Sequence, residues 1–249
     1  MTARQPKHFT TMQTKPEVTV SKTALRIQTA IIDRLKNLVK KQHATCLCRE
    51  FKRDWAHIMD LFQRYQKEVL FVNDLSVTCT KGCGVCCYHW AEDVYSFEVL
   101  GIVDFLKKHE PLRLKAINAR LRGDVDQMQL LRKATRTAKT EASAGKKTDP
   151  VDPYDIALSA FYQMKRPCPL LGKDGACTVY ALRPLTCRIY ISFSPPKYCL
   201  PRFISSDATK TYLLDMENCA MELFDRLHFM YDRCDGDTSL RSMLLKLLN

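Results

Sequence analysis

A chain of 249 residues and 28.7 kDa in which 46% of residues are apolar can bury a substantial core, and that excludes an intrinsically disordered protein. No apolar run reaches the ~18–20 residues a membrane-spanning helix needs, and residues 1–20 lack the apolar stretch of a secretory signal. The expectation is therefore a soluble, cytoplasmic protein with no membrane segment. The net charge of +12 is uneven: residues 1–70 hold 14 Lys+Arg against 6 Asp+Glu, residues 71–110 hold 3 against 6, residues 111–148 hold 10 against 3, and the remainder is balanced at 12 against 12. The basic excess thus lies outside the segments that carry most of the cysteines.

Residues 1–21 are polar and aperiodic, with Pro6 and Pro16, and read as a flexible arm; residues 22–249 are expected to form a single helical domain. Leu25, Ile32, Leu35 and Val39 recur at helical spacing behind a Ser21 cap, and Trp55, Ile58, Phe62, Tyr65 and Val69 repeat the pattern. Ser96 is placed to cap a helix through Phe97, Leu100, Val103 and Leu106 that stops before Pro111. The basic segment 111–148 continues as a helical insertion to about Lys139, and residues 140–153 have the composition of a linker. Asp155–Met164 reads as a short helix. Tyr212, Met216, Cys219, Leu223, Leu227 and Met230 make one late helical stripe, and Leu240, Met243, Leu244 and Leu247 make another. Strand-like pieces are confined to Thr178–Tyr180 and Ile189–Phe193. The fold class is mainly α, with irregular cysteine-rich loops and at most a small β-hairpin.

Twelve cysteines are too clustered for chance, and in a reducing compartment clustered thiols point to metal before disulfides. The first segment, residues 75–92, contains Cys79-Thr-Lys-Gly-Cys83-Gly-Val-Cys86-Cys87. Its glycines permit tight turns that aim several sulfurs at one point. The second, residues 165–200, contains Cys168-Pro-Leu-Leu-Gly172, Gly175-Ala-Cys177, Arg183-Pro184-Leu-Thr-Cys187-Arg188 and Cys199. Thiolate quartets hold zinc or iron–sulfur clusters, and spacing leaves that choice open. The candidate ligands are Cys79, Cys83, Cys86, Cys87, Cys168, Cys177, Cys187 and Cys199. Adjacent Cys86 and Cys87 are expected to point in different directions.

In this order the motifs resemble the YkgJ-type cysteine cluster family, named for zinc or iron chelation. The resemblance rests on Cys79-x3-Cys83-Gly84-x-Cys86-Cys87, Cys168-Pro169-Leu170-Leu171, Cys177-Thr-Val-Tyr180 and Arg183-Pro184-x-x-Cys187-Arg188, and spans roughly residues 75–200. It implies a distant likeness to flagellin lysine N-methylases, longer proteins for which an iron–sulfur cluster is implied. Three functions follow as expectations. The first is a metal-binding protein with no identified substrate. The second is an iron–sulfur-dependent enzyme that modifies a protein substrate, and the third a nucleic-acid-associated protein with structural zinc. Cys79-x3-Cys83-x2-Cys86 also has the spacing with which radical S-adenosylmethionine enzymes hold a [4Fe–4S] cluster, but Val85 stands where an aromatic residue is usual and no Gly-Gly-Glu follows.

Other residues read more simply. His43, Cys46 and Cys48 form a HxxCxC group in a basic helical stretch and are expected to pack. His89, between Tyr88 and Trp90, is a packing residue before it is a ligand. Cys219 and Cys234 behave as small hydrophobes. Glu92, Asp93 and Asp174 lie near the clusters without forming an acid–base pair. Arg113, Lys115, Arg120, Arg122, Arg132, Lys133, Arg136 and Lys139 spread around a helix and form no stripe, so at most weak, sequence-independent binding of nucleic acid is expected.

Overall fold

The computed structural model describes residues 18–80, 82–142, 152–199, 211–213 and 218–249. Most of the arm expected over residues 1–21 and most of the linker over 140–153 lie outside the described residues. The arm's last residues are not loose: the Thr19 N–H donates to Asn73 Oδ1 at 2.8 Å, and the Asn73 amide returns a bond to the Thr19 carbonyl at 2.9 Å.

Helix α1 spans Lys22–Lys41, with the Ser21 hydroxyl accepting from the Ala24 N–H as the sequence predicts. Its buried stripe is Ala24, Gln28, Ile31, Leu35 and Leu38. Leu25, assigned to that stripe from spacing, is exposed, and Ile32 and Val39 are only partly buried. Spacing fixes the period of a helix but leaves its rotation about the axis free within one residue. Helix α2, Arg49–Val72, buries Phe51, Ile58, Phe62, Tyr65 and Val69. The two run antiparallel, since Ser21 bonds Glu68 at one end and Lys41 pairs with Asp54 at the other. Helix α3, Ser96–His109, is capped at Tyr95 and not at Ser96. The Glu98 carboxylate accepts the Tyr95 N–H, while the Ser96 hydroxyl donates to the His228 carbonyl.

After a short turn over Pro111–Arg113, α4 runs from Leu114 to Ala142, and α5 from Pro153 to Gln163 behind an Asp152 cap. A single turn, α6, Thr186–Ile189, leads into strand β1, Tyr190–Ser192, which pairs antiparallel with β2, Thr211–Leu213. Tyr212 therefore pairs with Ile191 and does not belong to the late helix, which is α7, Asn218–Met230; Met216 lies outside the described residues. Thr178–Tyr180 is not a strand. The chain makes one isolated bridge, Leu171 to Cys177, then a tight turn at Tyr180–Leu182, because the Thr178 N–H and hydroxyl are both taken up by the Leu170 carbonyl. Helix α8, Leu240–Leu248, closes the chain and buries Leu240, Met243 and Leu244.

Among the described residues three apolar clusters form. One joins α1, α2 and α7 through Ile31, Leu35, Phe51, Phe62 and Phe224; a second joins α3, α4 and α8 through Ile102, Leu106, Leu121 and Met243, and reaches Leu170 and Val179 between the later cysteines. The third packs Trp90 against Met128, Ala157 and Phe161. Among the described residues no helix is long and apolar enough to cross a membrane. Several basic residues of the α4 region are engaged locally: Arg113 pairs with Glu110, Arg120 donates to the Pro167 carbonyl, Arg122 donates to Asn249, and Arg132 lies over the Tyr154 ring.

Candidate metal centre

The first cysteine segment is tied to the second by its backbone. The Thr78 N–H donates to the Ser192 carbonyl at 2.9 Å, and the Thr78 hydroxyl bonds the Ser192 and Ser194 carbonyls. The next residue, Cys79, accepts the Ser192 N–H on its sulfur at 3.3 Å. Gly82, at φ 92°, turns the chain so that the Cys83 N–H closes on the Thr80 carbonyl. Val85–Tyr88 then forms a tight helical turn that carries Cys86 and Cys87.

The glycines of the two segments meet. A Cβ at Gly84 would stand 3.0 Å from the Gly175 carbonyl, and one at Gly175, whose φ is 76°, would stand 3.0 Å from the Gly82 carbonyl. Side chains here would push the loops apart. At the other end of the contact the Cys168 N–H donates to the Cys87 carbonyl at 2.7 Å.

The second segment turns on short-range bonds. The Leu171 N–H donates to the Cys168 carbonyl and the Gly172 N–H to the Ala176 carbonyl. Asp174 accepts the Ala176 N–H and so braces the turn. Cys187 sits on α6, whose entry is fixed when Glu98 Oε1 accepts the Leu185 N–H at 2.8 Å. Arg188 folds back onto the Arg183 and Ala181 carbonyls, and Gln66 of α2 donates to the Arg188 carbonyl. Cys199 ends the turn Pro196–Cys199 and its carbonyl accepts the Tyr162 hydroxyl.

Burial and neighbouring charge shift several of these thiols. Burial pushes the Cys187 thiol up, and repulsion from Cys86, Cys168 and Cys177 adds to it. Burial likewise raises Cys168 and Cys177. Cys79 and Cys199 are raised by burial too, and each feels charge at Cys83 and Cys86. The neighbouring Cys87 lowers the Cys86 thiol and is itself raised by it, and nearby Arg183 also lowers Cys86. Among the described residues no group of three or more His, Cys, Asp or Glu side chains is disposed to hold a metal ion.

Residues 78–220 match the family model of the CxxCxxCC domain, whose description reads "putative zinc- or iron-chelating domain". The chain belongs to the CxxCxxCC family. The match covers all eight candidate ligands and leaves α1 and α2 outside it. Neither the curated proteins nor the solved structures give a match.

The remaining cysteines of this CxxCxxCC chain lie elsewhere. His43, Cys46 and Cys48 occupy the turn between α1 and α2, not a helix: Gln42 is left-handed at φ 43° and Cys48 caps α2, its sulfur accepting the Phe51 N–H. Cys46 is 3% exposed, and burial pushes its thiol up to about 11, the behaviour of an inert apolar residue. Cys234 is buried in the α3–α4–α8 cluster as expected, whereas Cys219 is exposed. His89 stacks on Tyr162 with centroids 3.8 Å apart, and burial pushes its pKa down to about 4. Sequence reasoning missed the residues that hold the loops: Ser192, Glu98, Gln66, Asp124 and Arg241. Their common signal would have been polar side chains on otherwise apolar helix faces, visible for Glu98, Asp124 and Arg241.

Proposed function

We propose that the two cysteine segments form one centre that binds zinc or an iron–sulfur cluster, and that the protein works in a reducing, cytoplasmic compartment where thiols stay available. Its ligands are drawn from Cys79, Cys83, Cys86, Cys87, Cys168, Cys177, Cys187 and Cys199. The observation that carries this reading is the 2.7 Å bond from the Cys168 N–H to the Cys87 carbonyl, which sets residues eighty-one positions apart side by side. The donor set fits the group. Soft sulfur ligands suit zinc and iron–sulfur chemistry, the Ser192 N–H already points at a sulfur, and the Arg183 charge offsets the negative charge of thiolates. Residues 22–249 are read as one unit around this centre.

A bound cation stabilises thiolates that burial otherwise keeps protonated, so loading releases protons and strengthens as pH rises. Anaerobic purification followed by elemental analysis and a visible spectrum tests the reading. Stoichiometric zinc with no visible absorption, or iron with the brown absorption of a cluster, supports it. Folded protein that takes up neither zinc nor iron contradicts it.

A further inference from the structure

Arg241 is the second residue of α8, only 2% of its surface is exposed, and each of its three side-chain nitrogens donates a hydrogen bond. Nε donates to Asp124 Oδ2 at 3.0 Å, one terminal nitrogen donates to the His89 carbonyl at 2.6 Å, and the other donates to the Arg166 carbonyl at 3.1 Å. The plane lies against Trp90 and Phe161, 5.5 and 5.0 Å from their ring centres. Asp124, itself 3% exposed, takes the Arg166 side chain on its second oxygen at 2.7 Å.

The two carbonyls are placed informatively. His89 follows Cys87 by two residues and Arg166 precedes Cys168 by two. Cys87 and Cys168 are the pair already joined backbone to backbone. A second link across the same two strands of chain, made by one rigid planar group, fixes their relative rotation as well as their separation. Burying a charged pair carries a large desolvation cost, and apolar residues would hold α8 against α4 at least as well. The pair makes better sense as a device for geometry than as one for stability.

Resting on the reading of the cysteines as a metal centre, we propose that Arg241, held by Asp124, is a positioning residue that sets the Cys87 and Cys168 segments in register for coordination. Lysine does not replace it, because one ammonium cannot reach three coplanar acceptors. Arg241→Lys is compared with Met243→Ala, which opens a cavity on the same helix at a fully buried position. Two measurements are made on each full-length protein.

The first is Co2+ affinity by chelator competition, read at the thiolate-to-cobalt absorption. Arg241→Lys lowers affinity roughly 10- to 100-fold and shifts the absorption. Met243→Ala lowers the melting temperature but leaves both unchanged. The second needs no metal: alkylation by N-ethylmaleimide in excess chelator, followed by mass spectrometry. Cys87 and Cys168 react faster in Arg241→Lys than in wild type, and at the wild-type rate in Met243→Ala. Equal affinities in Arg241→Lys and wild type, or parallel losses in both variants that track melting temperature, overturn the proposal. If wild-type protein takes up no metal, the metal-centre reading fails, and with it the role in coordination. The alkylation rates then report whether the clamp itself exists.

Discussion

Cys234 and Cys187 carry the same thiol in two different kinds of surroundings. Cys234 lies among Val94, Leu240, Met243 and Leu244, with none of its surface exposed, and its thiol is pushed up to about 11 chiefly by burial. Cys187 is raised by burial and also by three neighbouring sulfurs. The contrast extends to whole regions. Around α1, α2 and α7 order comes from interlocked apolar faces, including Phe51, Phe62 and Phe224. In the cysteine loops it comes from bonds between distant residues: Thr78 to Ser192, Cys168 to Cys87, Gln66 to Arg188 and Glu98 to Leu185. A helical core draws its stability chiefly from burial; on the proposed reading, the cysteine loops gain further free energy from the metal they bind.

On the proposed reading, the sharpest way to separate the two regions is to remove the metal. Structural zinc sites contribute on the order of 10 kcal/mol at neutral pH. Chelation should therefore lower the melting temperature by more than about 10 °C while leaving most helical circular dichroism at room temperature intact. Loss of the helical signal at once would show that the core depends on the loops. Phe224→Ala attacks the other region. It should cost about 3–5 kcal/mol in denaturant unfolding, by burial and cavity terms, with metal content unchanged. A smaller effect is expected at Cys46→Ser, where a hydroxyl replaces a buried thiol in the α1–α2 turn: about 1–3 kcal/mol, again with full metal content. Loss of metal in that variant would extend the centre to the HxxCxC group.

Glu92 gives the mildest test, through pH. Burial, aided by repulsion from Asp93, pushes its carboxyl up to about 7, and it accepts the Tyr154 hydroxyl. A carboxyl raised in the folded state favours folding while protonated. That contribution fades as pH climbs from the ordinary carboxyl range near ~4.3 through about 7, and is gone above it. Glu92→Gln, whose amide oxygen still accepts from Tyr154, should flatten the melting temperature between pH 5 and pH 8 by a few degrees relative to wild type. An identical pH profile would show that Glu92 titrates normally.

Much of this was legible before the fold. Apolar spacing located α1 to α5, α7 and α8, because a helix that buries one face repeats its pattern every few residues and leaves that trace locally. The rotation of α1 was off by one position, since Leu25 and Ala24 differ only in which way the axis is turned. Spacing assigns Tyr212 to the late helix because a three-residue strand is too short to show a period, and its partner, Ile191, lies twenty-one residues earlier. The cysteine loops were found through glycine and proline punctuation, which is a local constraint on backbone. Their anchors were not, because nothing near Arg241 or Glu98 announces which carbonyl or N–H, 75 to 152 residues away, each will reach.

A shared centre makes one demand that two separate sites do not. Removing a sulfur from either segment must release the same metal. Cys83→Ser and Cys187→Ser, purified anaerobically beside Cys219→Ser and analysed for zinc and iron per chain, put that to the test. The expected result is metal lost from both of the first two variants and retained at wild-type stoichiometry in the third. Full metal content in either Cys83→Ser or Cys187→Ser would contradict the joining of the two segments at one centre.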